Sequence, residues 1–260
     1  MNPGIDIIVV NYQSPEDLYG FLTSYQELDI EIPHTLHVVS VCPTEEDRRI
    51  VQQAACGAPF LYTEHNENVG YARACNEAAS VPDREVLAFF NADTVLWPGV
   101  LESCYNELMG DDSLGVVGPK QVNEYNRITS AGILGTSSQP LLRGWQEADV
   151  GQYDDERYCV SVAGSAYFVK REVWDYLTEC PYFTPYGANG AFLPTQHYYE
   201  ETYLSYHARH HGWGVKYLGT TKMTHKWHGA SPVGSVEGAY LRSSQELFRS
   251  ACNHHGMDHD

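Results

Sequence analysis

The sequence predicts an α/β protein: a mostly parallel central sheet flanked by helices, with a smaller antiparallel portion in the second half. Three observations carry this reading. Near-continuous apolar runs alternate with helical stretches through the first half, which is the signature of parallel strands buried on both faces. The helical stretches begin on cap chemistry. From Lys120 to Tyr158 the alternation breaks into short stretches rich in Gly, Ser and Asn, as expected of short antiparallel strands and loops.

Taken in order, Ile5 to Val10 reads as a buried strand. Ser14-Pro15-Glu16-Asp17 starts a helix, with Ser14 as N-cap, Pro15 in the first turn and Asp17 at the capping-box position. Leu36 to Val41 is a second strand, and Thr44 caps a second helix. Phe60 to Thr63 is a short third strand, followed by an Ala-rich helix from Gly70 to Ala79. Glu85 to Phe90 is a fourth strand, Pro98 opens the next helix, and Gly115 to Gly118 is a fifth strand. In the second half, Val160 to Val169 reads as a strand with a glycine interruption. Helices are expected over Arg171–Leu177, Glu200–His211 (stopped by Gly212) and Gly238–Ala251, with a strand over Val215–Leu218. No repeat or Pro/Ser-rich linker divides the 260 residues. One domain is expected, with halves at 1–119 and 120–233 and a C-terminal helix and tail over 234–260.

Charge narrows the partners. There are 34 acidic residues against 16 basic ones, a formal −18. Such a surface repels phosphate backbones and anionic lipid, which argues against constitutive nucleic-acid or membrane-surface binding. No apolar run approaches the ~18 residues of a membrane span. The seven cysteines are scattered, with no CxxC, as in a chain that keeps free thiols. A cytoplasmic protein without a signal peptide is the expectation.

Four stretches carry candidate chemistry. Asn91-Ala92-Asp93 follows the apolar strand that ends at Phe90. Ligands of such sheets bind beyond the carboxyl ends of strands, and a carboxylate there suits a divalent cation on a diphosphate. The ordinary alternative is a loop acid capping the next helix. The second stretch, residues 66–76, places Asn68, Gly70, Arg73 and Asn76 where a loop enters a helix, with Ala72 and Ala74 permitting close approach. An unremarkable helix start would look the same. The third opens a helix with Glu200 and Glu201. These point about 100° apart and so serve different roles. One is a candidate general base; two exposed acids favouring the helix dipole are the alternative. The fourth, Thr224 to Ser231, holds His225 and His228, a metal pair or two structural histidines.

Together, in order and spacing, these stretches resemble the family 2 glycosyltransferases of the GT-A fold, especially their rhamnosyltransferase-like branch. The resemblance runs from Ile5 to about Ser231. It includes the polar turn after the first strand, Asn11-Tyr12, the Asn68-to-Asn76 helix start and Asn91-Ala92-Asp93. It continues through Ala163-Gly164-Ser165, Glu200-Glu201 and His225. The resemblance implies a single Rossmann-like domain and a metal-dependent, inverting hexosyltransferase-type enzyme. The donor would be a nucleotide-diphosphate sugar. Asp93 and His225 would hold Mn²⁺ or Mg²⁺, and Glu201, beside Glu200, would be the catalytic base. Asn11, Tyr12, Ser40, Asn68, Gly70, Arg73, Asn91, Ala92, Gly164 and Ser165 would line the donor and acceptor sites.

Three departures stand out. Ser40 sits nearest the position where the family usually has a base- or ribose-holding Asp. Asn91 replaces the first Asp of Asp-x-Asp. A Glu stands for the usual Asp base, with Tyr203 in place of a second acid two residues on. The acceptor implied first is a saccharide or glycan. A protein comes second and a modified nucleobase third, penalised by the charge. Of another class, a non-catalytic sugar-nucleotide or glycan-binding protein remains open. Tyr186, Tyr198, Tyr199, Trp213 and Trp227 either stack on sugar rings or pack.

Overall fold

The computed structural model of the protein describes residues 1–54, 59–81, 83–137, 139–187, 190–227 and 235–258, the side chains of 235–239 excepted. The first half runs β1 (Asn2–Tyr12), α1 (Pro15–Gln26), β2 (His34–Val41), α2 (Glu45–Ala54), β3 (Phe60–His65), α3 (Tyr71–Ala79), β4 (Arg84–Asn91), β5 (Thr94–Val95), α4 (Val100–Gly110) and β6 (Leu114–Val122). Then follow β7 (Ile128–Ser130), β8 (Ile133–Gly135), β9 (Pro140–Leu142), β10 (Glu156–Tyr158), β11 (Ala166–Lys170), α5 (Arg171–Thr178), α6 (Glu200–His210), β12 (Gly214–His225) and α7 (Ser235–His255).

The main sheet has the order β10-β12-β6-β11-β4-β1-β2-β3, with β5 joined to β12 and β7 to β6; β8 and β9 form a separate hairpin. β1, β2, β3 and β4 pair in parallel, as do β6 and β12. β11 inserts antiparallel between β4 and β6. The sheet reverses direction of progression between β1 and β4, so the crevice beyond their carboxyl ends is the expected ligand site.

Both faces are covered. One buries Val10, Phe89, Tyr167 and Val116 against Ala74, Trp174 and Leu204 of α3, α5 and α6. The other buries Val9, Phe90 and Phe168 against Phe21, Ile50 and Leu101 of α1, α2 and α4. Alternate side chains of one strand therefore enter different cores, which is why Ile7–Val10 of β1 and Val86–Phe90 of β4 are unbroken apolar runs. A third cluster joins α6 to α7 through Tyr203, Tyr206, Phe248 and Cys252.

Local chemistry explains the boundaries. At α2, Thr44 Oγ1 accepts from the Asp47 N–H (3.1 Å), and Asp47 Oδ2 accepts from the Thr44 N–H (2.7 Å). That is a capping box with Asp in the usual Glu position. At α1 the expected cap bond to the backbone is absent; Ser14 Oγ donates to Asp17 Oδ2 instead (2.9 Å). α4 starts at Val100, two residues past Pro98, after Gly99 turns the chain left-handed. The strand expected over Val160–Val169 begins only at Ala166. A turn closed by the Ala166 N–H on the Ala163 carbonyl (3.3 Å) precedes it. β12 extends past Leu218 to His225, with a register shift at the Gly219–Thr221 stretch whose polar residues broke the apolar run. Six of the cysteines are described as free thiols. Among the described residues no helix is long and apolar enough to cross a membrane.

Candidate active site

The crevice residues come from five elements. β4 delivers Asn91, and a two-residue turn follows, its start closed by Thr94 Oγ1 donating to the Asn91 carbonyl (2.8 Å). β5 then pairs antiparallel with the end of β12, Thr94 opposite His225 and Val95 opposite Thr224. Trp97 Nε1 donates to Thr224 Oγ1 (3.0 Å), and the Lys226 N–H donates to the Asp93 carbonyl (2.9 Å). This pairing brings the Asp93 carboxylate to 3.4 Å from His225 Nε2. The two residues lie 132 positions apart in the chain, and a two-residue strand joins them.

Asp93 is 7% exposed. Burial raises its carboxyl pKa, but the His225 hydrogen bond and charge, its own backbone N–H and the Lys226 charge outweigh burial and hold it below the ordinary value. It is therefore an anion at neutral pH. An oxygen and an imidazole nitrogen side by side fit Mn²⁺, which accepts both donor types. Among the described residues no third His, Cys, Asp or Glu completes a metal set. A cation here would take its remaining ligands from a diphosphate and water, the arrangement usual where metal binds together with substrate phosphates. His228 lies outside the described residues.

The two glutamates open α6 on strained backbone: Tyr198 and Tyr199 both have φ of 71°, a left-handed conformation costly for a bulky residue. Glu200 is buried and accepts from Thr195 Oγ1 (3.3 Å). Glu201 is half-buried and packs directly on Gly164, where a Cβ would stand 3.2 Å from the Glu201 carboxyl carbon. Burial raises both carboxyl pKa values; for Glu201 the neighbouring Glu200 charge raises it further, against its own, the Thr202 and the Gly164 backbone N–H groups. Of the pair, Glu201 is the one open to a ligand.

Gly164 and Ser165 couple the two ends of the crevice. The Asn91 N–H donates to the Ser165 carbonyl (3.4 Å), so the strand leading to Asp93 is tied to the turn that touches Glu201. Ser165 Oγ donates to Gln121 Oε1 (2.6 Å). Tyr71 Oη donates to the Gly164 carbonyl (3.1 Å).

Other predicted residues are placed differently. Asn11 and Ser40, opposite one another in β1 and β2, are fully buried. Asn11 Nδ2 donates to Asp47 Oδ1 (2.8 Å), binding the end of β1 to the start of α2. Neither side chain presents surface to a ligand, whereas Tyr12, next along, is 38% exposed. Asn68 Oδ1 accepts from the Gly70 N–H (3.0 Å) and shapes the turn into α3. Arg73 pairs with Glu77 one helical turn on (2.7 Å) at the exposed surface. Asn91 is half-buried at the crevice and Ala92 is buried in the core. Asn76 is buried and bonds both the carbonyl (2.9 Å) and the N–H (3.1 Å) of Phe192, clamping the segment before α6 onto α3.

Three contributors escaped the sequence reading. Tyr71, adjacent to Gly70, was not singled out within residues 66–76, although its hydroxyl reaches the Gly164 carbonyl. Gln121 lies inside a fully buried strand. Trp145 packs edge-on against Trp227, centroids 4.8 Å apart, two residues beyond His225; only its aromatic character could have drawn attention, without a partner in view.

A family model described as glycosyl transferase family 2 matches residues 6–160. No match was found among curated protein sequences. Among solved structures, S. aureus TarS 1-349 shares 12% identity at a TM-score of 0.65, over 95% of this chain and 65% of that one. The same protein in complex with UDP gives 13% identity and a TM-score of 0.65, over 95% and 65%. The mannosyltransferase PcManGT from Pyrobaculum calidifontis, in complex with GDP-Man and Mn²⁺, shares 16% at 0.59, over 94% of this chain and 61% of that one. The chain thus spans less than two thirds of these structures' length, and at such identities they show a shared GT-A architecture. With the family model covering more than half of its length, the chain belongs to glycosyl transferase family 2.

Proposed function

We propose that the protein transfers a sugar from a nucleotide-diphosphate donor to a hydroxyl acceptor, with metal assistance and inversion at the anomeric carbon. The observation that carries this reading is the Asp93–His225 pair, 3.4 Å apart at the carboxyl edge of the sheet. The half-buried Glu201 is tied to that edge through Gly164. The solved UDP and GDP-Man complexes of similar structures support a nucleotide-sugar donor, and the Mn²⁺ of one supports the cation.

A bound Mn²⁺ or Mg²⁺ would stabilise the charge developing on the departing diphosphate. Asp93, kept anionic, and His225 would hold it. Glu201 would accept the proton of the attacking hydroxyl, its raised pKa suiting a base that works near neutral pH. Glu200, held by Thr195, keeps the local field that raises Glu201. Attack on the face opposite the diphosphate gives inversion. Asn91 in place of a first Asp leaves one carboxylate at the metal, in keeping with the rhamnosyltransferase-like branch. The Trp145–Trp227 pair offers an aromatic platform for a sugar ring at the mouth of the crevice, which favours a saccharide acceptor.

The test is hydrolysis of a panel of nucleotide sugars with Mn²⁺ and no acceptor. One donor is expected to turn over slowly in the wild type and not in Asp93→Ala. Binding of a donor with no turnover under any metal would favour a non-catalytic sugar-nucleotide-binding protein instead.

A further inference from the structure

A groove lies at the other end of α6 from the glutamates. Its larger lobe, of ≈ 370 Å³, is lined by Tyr158, Arg209 and Trp213 over a floor of bare backbone at Gly135, Gly212 and Gly214. A second lobe of ≈ 220 Å³ shares Gly135, Val160 and Arg209 with the first and continues to Tyr206, His210 and Asp258. Eight residues of helix separate Arg209 from Glu201, a rise of roughly 12 Å. The groove opens where β12 begins, at Gly214, at the opposite end of that strand from His225. It is not part of the crevice described above.

Arg209 differs from Arg84 and Arg127, whose guanidinium groups donate to the Pro3 and Gln146 carbonyls, in having no such acceptor among the described residues. The chain has about twice as many acids as bases, and Arg48, Arg49, Arg73, Arg143, Arg171, Lys120 and Lys216 all have carboxylate partners. Among the described residues no carboxylate pairs with Arg209; its guanidinium carbon lies 5.5 Å over the Tyr206 ring. Asp258 lines the far lobe and sets a boundary of like charge against an anion there. The carbonyls ending α6 are already capped. The Trp213 N–H bonds the Ala208 carbonyl (3.0 Å) and the Gly212 N–H the Arg209 carbonyl (3.0 Å), with Gly212 at φ 94°. The free positive group at this end is therefore the guanidinium, a planar fork that matches a carboxylate.

Tyr158 is 58% exposed beside it, with Trp213 half-buried. The Tyr158 ring covers Gly214, where a Cβ would meet the ring at 2.8 Å, so glycine there keeps the aromatic surface in the groove. Aromatic faces take the apolar face of a sugar ring, and an arginine fork takes an acid substituent.

We propose that this groove is a second binding site, separate from the transfer crevice, for a carboxylate-bearing saccharide: Arg209 holds the carboxylate while Tyr158 and Trp213 carry the ring. Such a site would retain an acidic glycan near the protein and raise its effective concentration. It is read by binding alone, so it stands or falls independently of glycosyl transfer.

The experiment is calorimetric titration of the full chain, without metal or donor, using a glucuronate-containing disaccharide, its neutral glucose counterpart and inorganic phosphate. Arg209→Gln, Arg209→Lys and Tyr158→Ala are compared with the wild type, each with its thermal midpoint measured. The acidic disaccharide is expected to bind about tenfold or more tightly than the neutral one, and Arg209→Gln to lose that margin. Arg209→Lys should retain part of it and Tyr158→Ala should weaken both sugars. UDP should not displace the ligand. Equal binding of the two disaccharides would overturn the proposal, as would indifference to Arg209→Gln, phosphate binding as tightly as the acidic sugar, displacement by UDP, or no binding up to about 10 mM.

Discussion

At the scale of single residues, burial pushes the carboxyl pKa of both Glu201 and Asp93 upward, and their neighbours then tune the two in opposite directions. Asp93 has a histidine beside it and stays charged; Glu201 has a second carboxylate beside it and holds its proton to higher pH. A carboxyl whose folded pKa is raised contributes its stability below the unfolded value and loses it as pH rises through the folded one. Glu201→Gln should therefore raise the thermal midpoint at pH 8, by about 2–4 °C for each kcal/mol relieved. The gain should vanish below the ordinary Glu pKa of 4.5. The same substitution should abolish the rise of kcat/KM with pH that is expected of the wild type as the pair deprotonates. Asp93→Asn should weaken Mn²⁺ binding in the presence of nucleotide by on the order of a hundredfold, since loss of a supporting residue alone costs 10–100-fold. Electron paramagnetic resonance of free Mn²⁺ reads this directly, and unchanged affinity would remove Asp93 from the metal site.

At the scale of elements, precision comes from close contact between a turn and a helix. Gly164→Ala places a methyl 3.2 Å from the Glu201 carboxyl carbon, and the carboxylate must move. Turnover is expected to fall about a hundredfold for a displacement near 1 Å, with the fold and nucleotide affinity retained. Asn76 acts on the same helix from further away through its two bonds to Phe192. Asn76→Ala should cost about 1–3 kcal/mol in denaturant unfolding, because two buried backbone groups lose their partner. Hydrogen exchange should rise selectively in the segment before α6.

At the scale of the molecule, α7 closes the structure over α6 through an aromatic and histidine-rich seam. His207 is buried, stacks on His255 with centroids 4.8 Å apart and lies 5.1 Å from His211. Tyr203 packs on the same ring at 5.3 Å. Burial, then the charges of His255, His211 and His210, push His207 down to about 3. A depressed histidine contributes stability above its unfolded value of 6.5 and loses it as pH falls toward the folded value. Stability should decline from pH 6.5 downward, opposite in sense to the Glu201 effect, and His207→Phe should flatten that decline in thermal scans. If the two profiles coincide, the seam is not the acid-sensitive contact.

Much of this was legible in one dimension. Burial on both faces makes a parallel strand apolar nearly continuously, so Ile5–Val10 and Glu85–Phe90 announced the sheet, and Thr44 announced a helix. Asp93 was visible as an acid just past such a run, Glu200 and Glu201 as adjacent acids opening a helix, and His225 as one of two histidines in Thr224 to Ser231. What the sequence could not convey was their partners. The two-residue β5 is too short to have a periodicity, yet its pairing with β12, with the Lys226 N–H on the Asp93 carbonyl, seats Asp93 against His225. The family resemblance put Asn11 and Ser40 at the donor site, but both are fully buried, and Asn11 is tied to Asp47 of α2. Trp145 and Arg209 acquire meaning only from Trp227, Tyr158 and Trp213. Local propensity and patterning determine which elements form; contacts between residues far apart in the chain, settled when the layers pack, determine which side chains meet.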